Sequence, residues 1–296
     1  MWKKTTTLQS KFEGKQETMA TAEFDQIADV YDETRRELDH ETLNGIKEML
    51  NKYECHSILE IGVGTGRIAI PLVKAGYEVT GADISRNMMG KAMIKGMKNL
   101  FLAEGGKAPF RNKSFDATLM AHVFHLLDNP MSVMIEAARM SHVGVFALVR
   151  KRSGDGGPRS FYGGNDSLPN DEGTRKFVLE RREHFRKIFE KYGWDPDQSQ
   201  RLRYWRRESE ILETYPPDDL NVVSDVLVNH NIEERIARFE KGAHSFVRRM
   251  PDEMRREIVE EMRTYSRSPL ALGLMRPRRE VYQLALWRSE RLLGQE

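Results

Sequence analysis

The sequence predicts an α/β fold in which a parallel sheet is covered by helices on both faces. Three observations carry this. First, short apolar runs at 57–62, 78–83, 99–104, 115–121 and 143–149 alternate with stretches whose apolar residues recur at helical spacing. Second, Ser57-Ile58-Leu59-Glu60-Ile61 leads into glycines at 62, 64 and 66, and Ile68-Ala69-Ile70-Pro71-Leu72-Val73 then continues at a helical period. That is a buried strand, a tight turn and a helix. Third, Glu78-Val79-Thr80-Gly81-Ala82-Asp83 reads as a second strand that ends in a carboxylate 21 residues beyond Gly62.

Residues 1–22 are polar and aperiodic, which predicts a flexible N-terminal arm. From Thr21 a helix is expected, because Phe24, Ile27, Ala28 and Tyr31 share one face. Leu43, Ile46 and Leu50 mark a second helix ending near Lys52. The helix after the glycine turn, roughly 66–75, is closed by Gly76. Ser85 can cap the next helix, with Met88, Met89, Ala92 and Met93 expected inside. Pro130 opens a helix to about Met140.

Beyond Arg150 the texture changes. Residues 153–173 are a Gly- and Asp-rich loop, and Thr174 is expected to cap a helix to Tyr192 that stops at Gly193. Gln200 to Ser209 has strand character. Asn231 with Glu234 forms a capping-box pattern, and Pro251 starts a further helix with Met254, Ile258 and Met262. These place a helical stretch at 224–266. Glu280 to Trp287 is strongly β-prone. The division is then a core over 23–152 and a second region over 153–296.

Composition sets outer limits. The chain has 296 residues, 39% hydrophobic and 31% charged, with a net charge of +2, so no global field recruits nucleic acid. Basic residues cluster at Arg201–Arg207 and Arg276–Arg279, either as solvated faces or as a wall for an anionic substrate. The single cysteine, Cys55, excludes an intrachain disulfide and any multi-cysteine zinc site, and no metal site is expected. No apolar run approaches the roughly 20 residues that span a bilayer, and no signal-peptide core is visible; the expectation is a soluble, cytoplasmic protein.

The glycine turn brings bare backbone and free helix N–H groups to a ligand. The first rival is a dinucleotide site, G-x-G-x-x-G. Here the third glycine comes one position early, at Gly66, and Arg67 stands where that pattern needs close helix–strand packing. Glu60 lies inside the strand, and a buried carboxylate needs partners, which loop N–H groups or a ligand ammonium can supply.

At these residues a resemblance is plain. Ile58 to Gly66 resembles motif I of class I S-adenosylmethionine-dependent methyltransferases. Phe24 to Arg35 resembles the helix that precedes that motif, and Gly81-Ala82-Asp83-Ile84-Ser85 resembles motif II. Ala108-Pro109-Phe110 through Ser114-Phe115-Asp116 and His122-Val123-Phe124-His125-Leu126-Leu127 resemble the segments before and after strand four. The likeness covers about residues 23–150 and is nearest to the methyltransferase type 11, ubiquinone/menaquinone-methyltransferase-like group. It implies a doubly wound, seven-stranded Rossmann-like sheet of order 3-2-1-4-5-7-6 with an antiparallel last strand. It also implies an enzyme with S-adenosyl-L-methionine as cofactor bound by residues 23–152. Residues 153–296 would then supply a helical lid and substrate region plus the final strands.

The resemblance further implies roles. Asp83 accepts the ribose hydroxyls and Ile84 packs on adenine. Gly62, Gly64 and Gly66 admit the methionine moiety beside Glu60. Tyr31 and Arg35 lie over the methionine end, with Arg35 pairing its carboxylate. Glu104, where family members usually carry Asp, and Gly105 meet the adenine edge. Ala121 and His122 line the reactive methyl. Several of these residues have plainer readings: Tyr31 as core packing, Glu104 as a surface residue, His122 and His125 as packing or capping groups. A general base is needed only if the acceptor arrives protonated, and His122, His125, Tyr31 and His244 are the candidates. The Asn/Asp-Pro-Pro-aromatic tetrapeptide of nucleic-acid amino-methylating enzymes is replaced by Ala121-His122-Val123-Phe124. A small-molecule acceptor is therefore expected, and nucleic acid is disfavoured. The alternatives are an RNA methyltransferase, or a catalytically silent module of this fold that binds RNA or a protein partner.

Overall fold

The computed structural model describes residues 24–33 except 26 and 30, 37–151 except 128, 171–194, 211–228, 232–242, 247, 250–269 and 278–294. Helical backbone at 24–25, 27–29 and 31–33 precedes α1 (His40–Lys52), where the Asp39 side chain caps the N–H of Thr42. The sheet then alternates with helices: β1 (Ser57–Ile61), α2 (Ala69–Lys74), β2 (Glu78–Asp83), α3 (Arg86–Ile94), β3 (Leu100–Leu102), β4 (Phe115–Ala121), α4 (Pro130–Met140) and β5 (Ser141–Lys151). Next come α5 (Glu172–Lys191), β6 (Asp219–Val228), α6 (Ile232–Glu240), α7 (Asp252–Ser266), β7 (Arg278–Arg288) and α8 (Ser289–Leu292).

The seven strands form one sheet of order β3-β2-β1-β4-β5-β7-β6, as expected. β1 pairs in parallel with β2 and β4, β4 with β5 and β2 with β3, while β7 runs antiparallel to both β5 and β6. Each crossover between parallel neighbours must carry a helix across a face, which is why both faces are covered. One buried cluster joins α1 and α2 to the sheet through Ile46, Leu50, Ile58, Leu72, Phe146 and Leu284. A second joins α4 to the opposite face through Leu59, Met120, Met134, Val145 and Trp287. Adjacent residues of β1 thus feed opposite clusters, the period-two alternation of a strand buried on both sides.

At the N-terminal edge of the sheet, Asp116 ties β4 to β1. Burial works against its charge, but the N–H groups of Ser57 and His56 at 2.8 and 2.9 Å outweigh it and hold the carboxyl below its usual range. The lone thiol of Cys55 is buried, and burial pushes it up to about 12, so it is no nucleophile.

A third cluster stands apart from the sheet. Phe185, Ile188 and Phe189 of α5 pack with Ile236 and Phe239 of α6 and Met254, Ile258 and Val259 of α7. These helices are connected to the sheet where β5 and β6 end and β7 begins, the edge at which β1, β2 and β4 also end.

Several expectations need correction. Residues 224–228 are not helical: they finish β6, an edge strand with exposed Leu220, Val222 and Leu227 whose only described strand partner is β7. The helix after the glycine turn starts at Ala69 rather than near 66, because the glycine turn runs on to Gly66. Met93 is 64% exposed, so it is not core, whereas Met88 and Ala92 are buried. The cap of α5 is Asp171, and Thr174 donates its N–H to that carboxylate at 2.7 Å. Arg279, in one of the basic clusters, is an ion-pair partner of Asp225 across β6 and β7, with a bond of 2.6 Å. Residues 1–22, Gln200 to Ser209, Arg201–Arg207, Asn231 and Arg276 lie outside the described residues. Among the described residues no helix is long and apolar enough to cross a membrane, and no cluster of His, Cys, Asp or Glu is placed to hold a metal.

Candidate active site

The tips of β1, β2 and β4 and the turn after β3 meet at one edge of the sheet. They bring together Gly62, Gly64, Gly66, Asp83, Ile84, Glu104, Gly105, Ala121 and His122. All three turn glycines have positive φ: +77° at Gly62, +54° at Gly64 and +78° at Gly66. A Cβ at Gly62 would collide with Val123, and one at Gly66 would lie 2.7 Å from Ile70 Cδ1. A Cβ at Gly64 would meet nothing nearer than Met88 Cε at 3.9 Å. Gly62 and Gly66 are thus held by packing, while Gly64 keeps bare backbone facing open space.

Asp83 closes this turn. Its carboxylate accepts the N–H of Gly64 at 2.7 Å and that of Ser85 at 2.8 Å. Burial raises its pKa, and the N–H groups of Ser85, Gly64 and Ile84 oppose that without cancelling it. With three N–H donors on about four acceptor sites, the carboxylate retains capacity for a further donor. The neighbouring Ser85 caps α3 by accepting the Met88 N–H at 3.1 Å.

Glu60 is 3% exposed, and burial pushes its carboxyl up to about 8. The N–H of Ala69 and the charge of Arg67 pull it down, and the Asp83 carboxylate adds to the rise. Its Oε2 makes no hydrogen bond.

The helical residues near 24–33 are fastened across this edge. Asp25 accepts the Ser85 hydroxyl at 2.6 Å and the Asn87 N–H at 3.1 Å. Asp29 pairs with Lys91 at 2.5 Å and Asp32 with Lys95 at 2.6 Å. Asp32 also accepts the hydroxyl of buried Thr65 at 2.6 Å, which ties the strap to the glycine turn itself. Spacing explains the register: acids at 25, 29 and 32 share one helical face, and so do 87, 91 and 95. Tyr31 lies in this strap, half-buried.

His122 follows β4 with φ +57°, a left-handed conformation rare for a residue with a side chain. Its ring stands edge-on to Tyr282, centroids 5.8 Å apart. Tyr282 in turn donates to Glu280 at 3.3 Å, and Glu280 pairs with Arg150 at 2.5 Å. Sequence reasoning missed this group from β5 and β7, and it missed Asp25. A carboxylate two residues before Tyr282 in a β-prone run was visible, but its partner Arg150 is 130 residues away.

Glu104 is turned toward its own helical turn, where it pairs with Lys107 at 2.8 Å. Gly105 packs so closely on β1 that a Cβ would lie 2.7 Å from Ile61 Cγ2. Arg35, His244 and the side chain of His125 lie outside the described residues.

Comparison with known proteins bears on the strands that form this edge. Residues 59–149 match the family model described as a methyltransferase domain. A demethylmenaquinone methyltransferase of Tropheryma whipplei is 31% identical over 124 residues, covering 40% of this chain and 52% of that protein. An uncharacterized protein of Methanocaldococcus jannaschii is 34% identical over 118 residues, covering 40% of this chain and 55% of that one. The chain thus spans about half the length of the curated relatives it matches. A solved structure, a putative methyltransferase from an antibiotic biosynthesis pathway of Anabaena variabilis, aligns with a TM-score of 0.52. It covers 84% of this chain and 98% of that one at 14% identity, a likeness of fold alone. Residues 59–149 are thus similar to a methyltransferase domain, on a seven-stranded sheet of order β3-β2-β1-β4-β5-β7-β6.

Proposed function

We propose that this protein transfers a methyl group from S-adenosylmethionine to a small-molecule acceptor. The carrying observation is the Asp83 carboxylate fixed to the Gly64 N–H, at the junction of the β2 tip and the glycine turn. A nucleoside ribose fits there: Asp83 has acceptor capacity left, and Gly64 leaves the approach open. Ile84, half-buried beside Asp83, offers an apolar surface for the base. Glu60, buried with one oxygen unpartnered, fits an ammonium.

The bound cofactor supplies a methyl carbon already activated by a positive sulfur. What remains for this chain is to hold, align and exclude water. The strap carrying Tyr31 lies beside the glycine turn, and Ala121 and His122 extend from the tip of β4. His122, set by its left-handed backbone against Tyr282, is the proposed proton acceptor for an acceptor that arrives protonated. Helices α5, α6 and α7 are the proposed lid, supported by their connection at this edge and by the ion pair of Lys241 with Glu33 of the strap at 2.5 Å.

Thermal unfolding tests the reading. With about 1 mM S-adenosylhomocysteine and a micromolar Kd, the folded state gains about 4 kcal/mol, several degrees in Tm. Asp83→Ala is expected to abolish that gain. No shift for the wild-type protein at this concentration would sink the proposal.

A further inference from the structure

The two halves of α5 differ in what they carry. The second half gives Phe185, Ile188 and Phe189 to the apolar cluster with α6 and α7. The first half carries Arg181, partly buried, whose Nε is closed off from solvent and makes no hydrogen bond. No ion pair reaches Arg181 among the described residues. Its surroundings behave differently: Arg186, Arg238, Arg255 and Arg263 of the same three helices each pair with a carboxylate. Arg175 and Arg256, which have no such pair among the described residues, are exposed to water. Burial works against the Arg181 charge and the like charge of Arg182 adds to that, so its pKa lies below the usual arginine range. A charge so placed is costly until something pairs with it.

Helical spacing and two ring contacts fix where Arg181 lies. Phe177, Arg181 and His184 stand at i, i+4 and i+7 and share one face of α5. The rings of Phe177 and His184 are both edge-on to Tyr265 of α7, with centroids 5.4 and 5.8 Å away. Arg181 is bracketed by these two contacts and so faces Tyr265. Two carboxylates also bear on Tyr265, and both are engaged elsewhere: Glu261 faces His184 at 3.6 Å and Glu180 faces Lys176 at 3.9 Å. This face is at the end of α5 that follows β5 in the chain, and Tyr265 is at the end of α7 that precedes β7. Lys151 at the end of β5 pairs with Val281 of β7, next to the Tyr282 that meets His122. Both helices thus present the ends from which the chain leads to the candidate active site.

We propose that Arg181 receives a carboxylate carried by the methyl acceptor, with the rings of Tyr265 and Phe177 beside the body attached to it. This rests on the reading of α5, α6 and α7 as the lid of a methyltransferase. A guanidinium presents a planar fork of donors that a carboxylate matches with two parallel bonds. Aromatic edges carry partial positive charge, which suits a flat, anionic ligand. The acceptor class is then a small carboxylic acid with a planar apolar body. Arg181 is a binding residue here and takes no part in moving the methyl group.

Benzoate and benzamide share a shape and differ in charge, so together they probe the site. Each is titrated while the Nε–H signal of Arg181 is followed by NMR, the signal being identified by its absence from Arg181→Met and Arg181→Lys. In the wild type benzoate is expected to bind with a Kd of about 1 mM, the range open to so small a ligand. Benzamide should bind at least about tenfold more weakly, the worth of a charge-assisted hydrogen bond. Arg181→Met should lose this preference, and Arg181→Lys should keep part of it, with the charge but not the planar fork. Because Arg181→Met removes an uncompensated charge and keeps the apolar stem, its Tm without ligand should hold or rise. A Tm lowered by several degrees would make Arg181 a structural residue and overturn the proposal. Equal affinity of the wild type for benzoate and benzamide would overturn it as well. Saturating S-adenosylhomocysteine should tighten benzoate about fivefold or more, since a lid that closes over both couples the two sites. A charge-selective benzoate site indifferent to S-adenosylhomocysteine would separate Arg181 from the acceptor and overturn that assignment. A wild-type protein that binds no S-adenosylhomocysteine would fail the cofactor reading itself, an outcome distinct from the loss of charge selectivity.

Discussion

Glu60 shows what one residue costs and gives. Its carboxyl lies in a buried strand against Asp83, and burial lifts it to about 8 from 4.5 in an unfolded chain. Between those values the folded protein holds a proton that the unfolded chain has released. Folding then takes up a proton, so stability is present in full at low pH and is lost as pH rises, by about 1.4 kcal/mol per pH unit. From pH 5.5 to 7.5 the ligand-free protein is expected to lose about 2 kcal/mol more than Glu60→Gln does, read from urea unfolding at both values. Parallel profiles for the two proteins would remove Glu60 as the source. An arriving ammonium reverses the balance by stabilising the ionised form, so affinity for S-adenosylhomocysteine should rise with pH up to about 8 in the wild type. In Glu60→Gln that rise should be absent. A residue that destabilises the ligand-free protein is thus the one proposed to gain most from the ligand.

At the scale of elements, the strap over residues 24–33 combines buried Ile27 and Ala28 with a ladder of polar contacts. Its ion pairs are largely exposed, with Asp29 86% open, and such pairs contribute little. The stronger fastening is at Asp25, which accepts the hydroxyl of buried Ser85 and the Asn87 N–H at the start of α3. Asp25→Ala removes a cap supplied from another element, worth about 1 kcal/mol. Amide exchange at 27–33 is expected to quicken about fivefold, with exchange in β1 and β4 unchanged. Unaltered exchange in the strap would show that it is held by other contacts.

Elements differ in how far local chemistry announces them. The bounds of β2, β4 and α4 were legible to the residue, because each couples a burial pattern to a local stop: Gly76 before β2, Asp116 in β4, Pro130 in α4. The glycine turn and Asp83 were legible for the same reason, being close in sequence. β6 was not. Asp219, Asn221, Ser224 and Asp225 break its alternation, a bulge lies between Val222 and Ser224, and only pairing with β7, some fifty residues on, makes it a strand. The Arg150–Glu280–Tyr282 group was hidden by the same distance. Strand propensity here follows from tertiary pairing, not from the run itself.

On the scale of the whole molecule, three apolar clusters divide the chain unequally. Two share the sheet, so β1, β4 and β5 couple them. The third is built from α5, α6 and α7 and includes no strand residue. Lys191 pairs with Glu257 at 2.7 Å within the helical group, and Lys241 reaches out to Glu33 of the strap. Clusters that share no buried residue are expected to open separately, since each holds its own apolar gain. Ile258 is fully buried at the centre of the third cluster. Ile258→Ala should cost about 2–4 kcal/mol there, through lost transfer and a cavity. Amide exchange in α5, α6 and α7 is then expected to rise by a factor on the order of 100, with that in β1, β2 and β4 held. The affinity for S-adenosylhomocysteine should stay within about threefold, because Gly64, Asp83 and Glu60 all lie in the other unit. Methyl transfer should fall further than binding does, if the helices close over the acceptor. Uniform loss of protection across the sheet would instead make the three clusters one cooperative body, and the lid would then have no independent motion to gate the site.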